Sequence, residues 1–163
     1  MCFSASASFI TSGGLAAIGA VALKKANGKQ KVLAVIPLLF AIQQAFEGVQ
    51  WLTVRPSTWS AAAGYGFLFF ALLVWPTYVP ITVFALDEKK RKTLKWFVGL
   101  GITLTVFFLA VLLTQPIAVR VVNHSIDYRI NVPFETAGIA VYFITVFCAP
   151  IVSGKRAIRW FGI

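Results

Sequence analysis

The sequence predicts an all-α membrane protein: a bundle of five transmembrane helices with a short extracytoplasmic β-hairpin between helices 4 and 5. Of the 163 residues, 59% are hydrophobic and 12% are charged, whereas soluble domains carry about 25% charged residues. Several stretches of 18 or more residues lack any charge, which is long enough for a helix to cross a bilayer. An alternating apolar pattern in one connector predicts the hairpin.

The five spans are predicted at residues 4–23, 32–52, 60–86, 94–114 and 134–152, and together they form a single transmembrane domain over residues 1–163. The first span is expected to remain uncleaved, because its lysines follow the apolar stretch instead of preceding it as in a signal peptide. In the third span, Trp75-Pro76 and Pro80 predict a kink near Trp75. That kink would serve either packing or the opening of the backbone to a ligand.

The distribution of the cations predicts the orientation of the chain. Twelve of the 15 Lys and Arg residues lie in the first connector, the third connector and the C-terminal tail; the others are Arg55, Arg120 and Arg129. Because loops rich in Lys and Arg stay in the cytoplasm, the N-terminus is predicted outside and the C-terminus inside. This distribution makes the lipid bilayer the expected partner and excludes nucleic acid. A homo-oligomer and a membrane complex are the alternatives left open.

The connector after the fourth span contains the sequence AVRVVNHSIDYRINV, in which apolar residues alternate with others on both sides of Asn123-His124-Ser125. Period-two alternation around a polar triplet predicts a β-hairpin over residues 117–132 with its turn at that triplet. A lone hairpin is marginally stable in water. Its apolar face is therefore expected to lie as a lid over the outer ends of the helices.

The second span contains a polar stripe within the sequence FAIQQAFEGVQW, residues 40–51. Helical spacing places five residues on one face about 100° wide: Gln43, Gln44, Glu47, Gln50 and Trp51. This face is expected to turn inward, because hydrocarbon offers amides and carboxylates no partner. A charged carboxylate in mid-membrane costs about 3 kcal/mol, so Glu47 is predicted to be protonated, paired or wetted by a cavity. The alternative to a ligand site is that the glutamine amides only form hydrogen bonds with neighbouring helices.

Cys2, Glu135 and the hairpin that carries His124 are expected near the same outer level. Glu135 and Tyr142 share a face of the fifth span and are candidate ligand-binding residues together with the stripe of the second span. Glu47, His124 and Cys2 are candidate metal ligands that would suit zinc or copper. Glu47 and His124 are also the candidate catalytic acid/base pair, although no HExxH or GxSxG motif supports an enzyme. The alternative for His124 is a solvated turn residue, and the alternative for Glu135 is a first-turn acid that the helix dipole stabilises.

A disulfide bond between Cys2 and Cys148 is not expected, because the two residues are predicted at depths in the membrane that differ too much.

These residues favour an outward-opening polar site, centred on Glu47, that binds a metal ion or a small or lipidic ligand. One alternative is a small transporter or channel that uses Glu47 as its coupling carboxylate, although the chain shows no internal repeat. The other is a non-catalytic accessory subunit of a membrane complex, whose polar face a partner helix would satisfy.

The opening residues MCFSASASF, 1–9, resemble those of a family of small, uncharacterised bacterial integral membrane proteins that begin MCFSA-x-ASF. The same family carries a patch like that formed here by Gln43, Gln44, Glu47, Gly48 and Trp51, and a hairpin pattern similar to His124, Ile126 and Tyr128. The resemblance covers the whole chain and implies a multi-pass protein of a bacterial inner (cytoplasmic) membrane, but it implies no activity. It also leads us to expect that the five-span unit is a shortened version of a larger bundle.

Overall fold

Five long apolar helices dominate the computed structural model, which describes residues 4–53, 58–122 and 124–160. They are α1 Ala5–Lys25, α2 Gly28–Leu52, α3 Thr58–Leu86, α4 Arg91–Thr114 and α5 Glu135–Val152. Each is long and apolar enough to cross a membrane, so the prediction of a multi-pass helical membrane protein is confirmed. The largest difference in boundaries is at α2, which begins at Gly28 and not at residue 32. A short helix, α6, spans Arg156–Arg159.

The first helix has clear signals at both ends. Ser4 caps its N-terminus, and the Ser4 hydroxyl accepts a bond from the Ala7 N–H at 3.2 Å. A side-chain oxygen at this position satisfies one of the amides that lack a partner in the first turn. Lys24 and Lys25 occupy the last turn, where positive charge is favoured by the helix dipole.

Two of the helices widen into π-helical turns shortly before a proline. In α3 the π-helical segment is Phe69–Val74, followed by Pro76; in α5 it is Ile144–Cys148, followed by Pro150. Proline lacks the N–H that would continue the regular bonding pattern. The Thr105 hydroxyl donates to the Leu73 carbonyl at 3.1 Å and so satisfies one backbone group in this region. The predicted kink near Trp75 therefore falls where the helix geometry changes.

A two-stranded antiparallel hairpin links α4 and α5, with β1 at Ala118–Val122 and β2 at Ser125–Arg129. The predicted turn was one residue too long, because Ser125 pairs with Val122 and belongs to β2. Of the other two predicted turn residues, Asn123 lies outside the described residues and His124 has a φ of 59°. Two-residue hairpin loops need positive φ because their twist must match that of the strands.

The chain divides into two compact units, of which the first comprises residues 1–71 and 114–131. In this unit α1 and α2 run antiparallel: the Ser12 hydroxyl donates to the Ala41 carbonyl at 2.7 Å, and the Phe9 ring lies against Gly48. The hairpin packs on the first part of α3, where the Tyr128 ring stacks on Phe67 with centroids 4.7 Å apart. The apolar face of the hairpin thus contacts α3. The lid over the outer ends of the helices stays a prediction.

The second unit comprises residues 72–113 and 132–163, and Asp87 connects three of its segments. One carboxylate oxygen accepts the N–H groups of Lys89 and Lys90, at 3.0 and 3.2 Å, before α4. The other accepts the Ser153 hydroxyl at 2.8 Å and the Gly154 N–H at 2.6 Å, after α5. Burial alone would raise the pKa of Asp87, but these four bonds outweigh it and hold the pKa below its usual value.

Gly101 allows a close approach between α4 and α3 within the second unit. A Cβ at this position would collide with the carbonyl oxygen of Pro76, which Pro80 leaves without its usual N–H partner. We expect Gly101→Ala to lower the free energy of unfolding by about 1–3 kcal/mol, a typical cost of overpacking. Unfolding of the purified protein in detergent measures this effect.

Gly99 provides the matched control in the same helix, because a Cβ there would meet nothing within 4 Å. Gly99→Ala should leave stability unchanged or raise it by up to about 1 kcal/mol through helix propensity. Equal losses in the two variants would contradict the assigned contact between Gly101 and Pro76.

Candidate functional site

The polar face of α2 is turned inward in the first unit. Glu47 and Gln50 are completely shielded from solvent and Gln43 is 7% exposed, while Gln44 and Trp51 are partly buried. On the opposite face, Ile42 is 48% exposed, as expected for a residue that meets lipid. The amphipathic pattern of residues 40–51 therefore predicts the rotation of this helix correctly.

Two amides of this face make hydrogen bonds that explain their presence. Gln44 donates from Nε2 to Oε2 of Glu47 at 3.0 Å, one turn along the same helix. Gln50 donates from Nε2 to the hydroxyl of Ser60, near the start of α3, at 2.8 Å. These bonds leave the second oxygen of Glu47 and the carbonyl oxygen of Gln50 to find other partners.

Four side-chain oxygen atoms of the first unit are buried without any hydrogen-bond partner among the described residues. They are Glu47 Oε1, Gln50 Oε1, the Ser8 hydroxyl and the Tyr128 hydroxyl. An unsatisfied buried polar group costs about 1–3 kcal/mol, and more when it is charged. Because most buried polar groups in folded proteins are bonded, these four oxygens require an explanation.

The surroundings of Gly64 show that two of these four groups, the Gln50 oxygen and Tyr128, are near each other. A Cβ on Gly64 would lie 3.4 Å from Gln50 Oε1 and 3.9 Å from the Tyr128 ring. Tyr128 is also close to Glu47: burial raises the pKa of Tyr128 well above its usual value, and the charge of Glu47 raises it further. Glu47 and Gln50 are three residues apart on one helix face.

Ser8 reaches the same level from α1. The contacts of Phe9 with Gly48 and of Ser12 with Ala41 fix the register of α1 against α2. In this antiparallel register Ser8 falls opposite the turn of α2 that contains Glu47. The site is therefore built by α1, α2, the start of α3 and the inner face of the hairpin.

None of the cations in the described ranges forms an ion pair with Glu47. On the hairpin, Arg129 pairs with Asp127 at 2.8 Å, and Arg120 stands opposite Asp127 in the sheet. These residues alternate with Ile126 and Tyr128, so they project from the other face. Among the described residues, no Lys or Arg side chain therefore pairs with the Glu47 carboxyl group.

The structure does not bring the other two candidate metal ligands, His124 and Cys2, together with Glu47 among the described residues. His124 is exposed at the turn, four residues or about 13 Å along the strand from Tyr128, and it makes no hydrogen bond to Glu47. Cys2 lies outside the described residues. Residues 4–53, 58–122 and 124–160 contain no group of three or more His, Cys, Asp or Glu side chains that would hold a metal.

The remaining candidates belong to the second unit. Glu135 is exposed in the first turn of α5, and Tyr142 is partly buried in the same helix. The exposure of Glu135 suits the alternative that it favours the helix dipole. Cys148 is a free thiol, in line with the expectation that it forms no disulfide.

Sequence reasoning did not assign Ser8, Ser60 and Tyr128 to the site. A signal existed for two of them. Ser8 shares a face of α1 with Ser4 and Ser12, and Tyr128 brings a hydroxyl to the otherwise apolar face of the hairpin. Ser60 gave no such signal, because a serine at the start of a span is equally suited to solvent.

Comparison with known proteins gives one match. A family model described as "Family of unknown function (DUF6629)" covers residues 1–163. No curated protein and no solved structure matches the chain. The resemblance to an uncharacterised family is therefore confirmed, and the function has to be argued from the site.

Proposed function

We propose for this chain, which belongs to the family of unknown function DUF6629, the role of an integral membrane protein that binds a metal ion or a small or lipidic ligand at Glu47. The observation that carries the proposal is the group of four fully buried, unpartnered oxygen atoms, one of them from a carboxylate. Carboxylates within membrane spans are costly and commonly mark ligand or ion sites.

A purely structural role accounts less well for the arrangement. In a structural network the polar atoms bond to one another, as Gln50 does with Ser60. Here the second oxygen of Glu47 and the hydroxyls of Ser8 and Tyr128 lie in the same region without bonding to each other. Buried polar atoms without hydrogen-bond partners are costly. Their presence here favours a binding site in which a ligand supplies the missing partners.

The charge distribution supports a site that opens to the outer face of a bacterial inner membrane. Twelve cations lie on the side of the first and third connectors and the tail, against three on the other side, and the richer side is cytoplasmic. Glu47 lies five residues from the end of α2 at Leu52, about 8 Å along the helix. In this orientation that end of α2 and the hairpin are extracytoplasmic.

Cysteine labelling tests the orientation. In a chain whose own cysteines are replaced by serine, Ser57→Cys should react with an impermeant maleimide in intact cells. Lys90→Cys should react only after permeabilisation, because residue 90 lies in a lysine-rich cytoplasmic connector. The reverse pattern would overturn the orientation and with it the outward opening.

Carbodiimide modification tests whether the site opens. In right-side-out vesicles, a water-soluble carbodiimide with an amine nucleophile should modify Glu135 rapidly and Glu47 more slowly, as peptide mass spectrometry would show. The exposed Glu135 is the internal control, since it is predicted on the same side. Glu135→Gln should leave the modification of Glu47 unchanged. If Glu135 is fully modified while Glu47 never reacts, the carboxylate is sealed and the proposed function is wrong.

A further inference from the structure

We infer that the Glu47 site takes a monovalent cation, either an alkali-metal ion or an ammonium group, which bonds to oxygen atoms of Glu47, Gln50, Ser8 and Tyr128. This inference rests on the proposed function and names the class of its ligand. Three properties of the site support it: the type of donor atom, the net charge and the number of atoms that need a partner.

The available donor atoms at the site are all oxygens: one carboxylate, one amide carbonyl and two hydroxyls. Oxygen ligands suit hard cations, whereas zinc and copper favour imidazole nitrogen and thiolate sulfur. The histidine of the first unit, His124, is exposed at the hairpin turn. The described donor set therefore favours a hard cation or a hydrogen-bonding ammonium over the zinc or copper considered from the sequence.

The charge of the site matches a single positive charge. An ionised Glu47 brings one negative charge, and no ion pair to it is found among the described residues. A monovalent cation makes the site neutral, which is the state favoured where the surroundings are poorly polarisable. A divalent cation would leave a buried net positive charge, and a neutral ligand would leave the carboxylate uncompensated.

A proton alone does not satisfy the site. Protonation would neutralise Glu47, but the oxygens of Gln50, Ser8 and Tyr128 would keep no partner. A cation can instead serve as a partner for carboxylate, hydroxyl and amide oxygens alike, because each of them has lone pairs to offer. The number of unpaired acceptors thus favours a cation over a proton.

Thermal unfolding of the detergent-purified protein tests the inference. Sodium, potassium, ammonium and methylammonium chlorides are compared with choline chloride at equal ionic strength, because choline has no N–H donor and is bulky. One of the small cations should raise the Tm by roughly 5–10 °C once it exceeds its Kd about 100-fold. Stabilisation by sodium or potassium identifies a metal ion; stabilisation by ammonium or methylammonium identifies a hydrogen-bonding cation.

Three variants test whether the cation-dependent Tm shift arises at the Glu47 site. Glu47→Gln should abolish the cation-dependent shift, and Tyr128→Phe should reduce it. Asp127→Asn removes the same charge from the outer face of the hairpin and should retain the full shift. If Glu47→Gln does not fold, a protection experiment on the wild-type chain takes its place. The stabilising cation should slow the carbodiimide modification of Glu47 at least about fivefold relative to choline.

Two results would overturn the cation inference. If Glu47 reacts with carbodiimide but no small cation stabilises the protein beyond choline, the site opens yet takes another ligand, and the proposed function survives. A larger shift with zinc or calcium than with any monovalent cation also contradicts the inference. If Glu47 never reacts and no cation has an effect, both the inference and the proposed function fail.

Discussion

Replacing Asp87 with alanine is expected to lower the free energy of unfolding by about 3 kcal/mol. The substitution removes one carboxylate that accepts four hydrogen bonds, and hydrogen bonds to a charged group contribute about 1.5–3 kcal/mol each when they are not replaced by water. Lys89 and Lys90 are exposed and can bond to water, but Ser153 is buried. Denaturant unfolding in detergent measures the loss.

The neighbouring Glu88 supplies the control for Asp87. It is an exposed acid in the same connector, and Glu88→Ala should change stability by no more than about 0.5 kcal/mol. Similar losses in the two variants would show that the connector, and not the Asp87 network, determines the effect.

The Asp87 network also predicts a dependence of stability on pH. Because the folded pKa of Asp87 lies below its unfolded value of about 4, its contribution is complete above that value. The stabilisation that ionised Asp87 provides is lost as the pH falls through the folded pKa, because Asp87 is then protonated in the folded chain as well. Stability should therefore fall below about pH 4 more steeply in the wild type than in Asp87→Ala. Parallel pH curves would contradict this assignment.

Glu47→Leu is expected to be the most damaging substitution at the polar site. It removes the acceptor of the Gln44 bond and leaves buried groups without a partner, at about 1–3 kcal/mol for each. Glu47→Gln keeps the shape and an acceptor oxygen, so the fold should be retained while ligand binding is lost. Unfolding free energies and the cation-dependent Tm shift of the two variants measure both effects.

A structural role for Glu47 predicts the opposite order of stability. Buried charges that serve only packing are often replaced by apolar side chains without loss, or with a gain. If Glu47→Leu were as stable as the wild type and equally responsive to cations, the site would be excluded. Asp127→Leu and Asp127→Asn serve as the matched pair on the outer face of the hairpin.

The architecture could be predicted from the sequence because it follows from local patterns. Uncharged runs of sufficient length indicate the spans, and the spacing of Gln43, Glu47 and Gln50 indicates which face of α2 turns inward. Period-two alternation indicates the hairpin. The error at Ser125 arises because a polar residue is equally suited to a turn and to the end of an exposed strand.

The contacts that build the site could not be predicted in the same way. Tyr128 approaches Glu47 across about 80 residues of chain, and the Asp87 carboxylate bonds to Ser153 across 66 residues. Such pairs depend on tertiary packing, which periodicity does not encode. The role expected for His124 illustrates this: the hairpin formed as predicted, but its strand residue Tyr128 points to the site and its turn residue is exposed.

An experimental density map of the protein, prepared in sodium or ammonium chloride, tests the central claim most directly. We predict a non-protein density that contacts Oε1 of Glu47 together with Gln50 Oε1 or the Tyr128 hydroxyl, and that is absent in Glu47→Gln. A map in which protein atoms alone surround the carboxylate, or in which Glu47 faces lipid, would contradict the proposed ligand site.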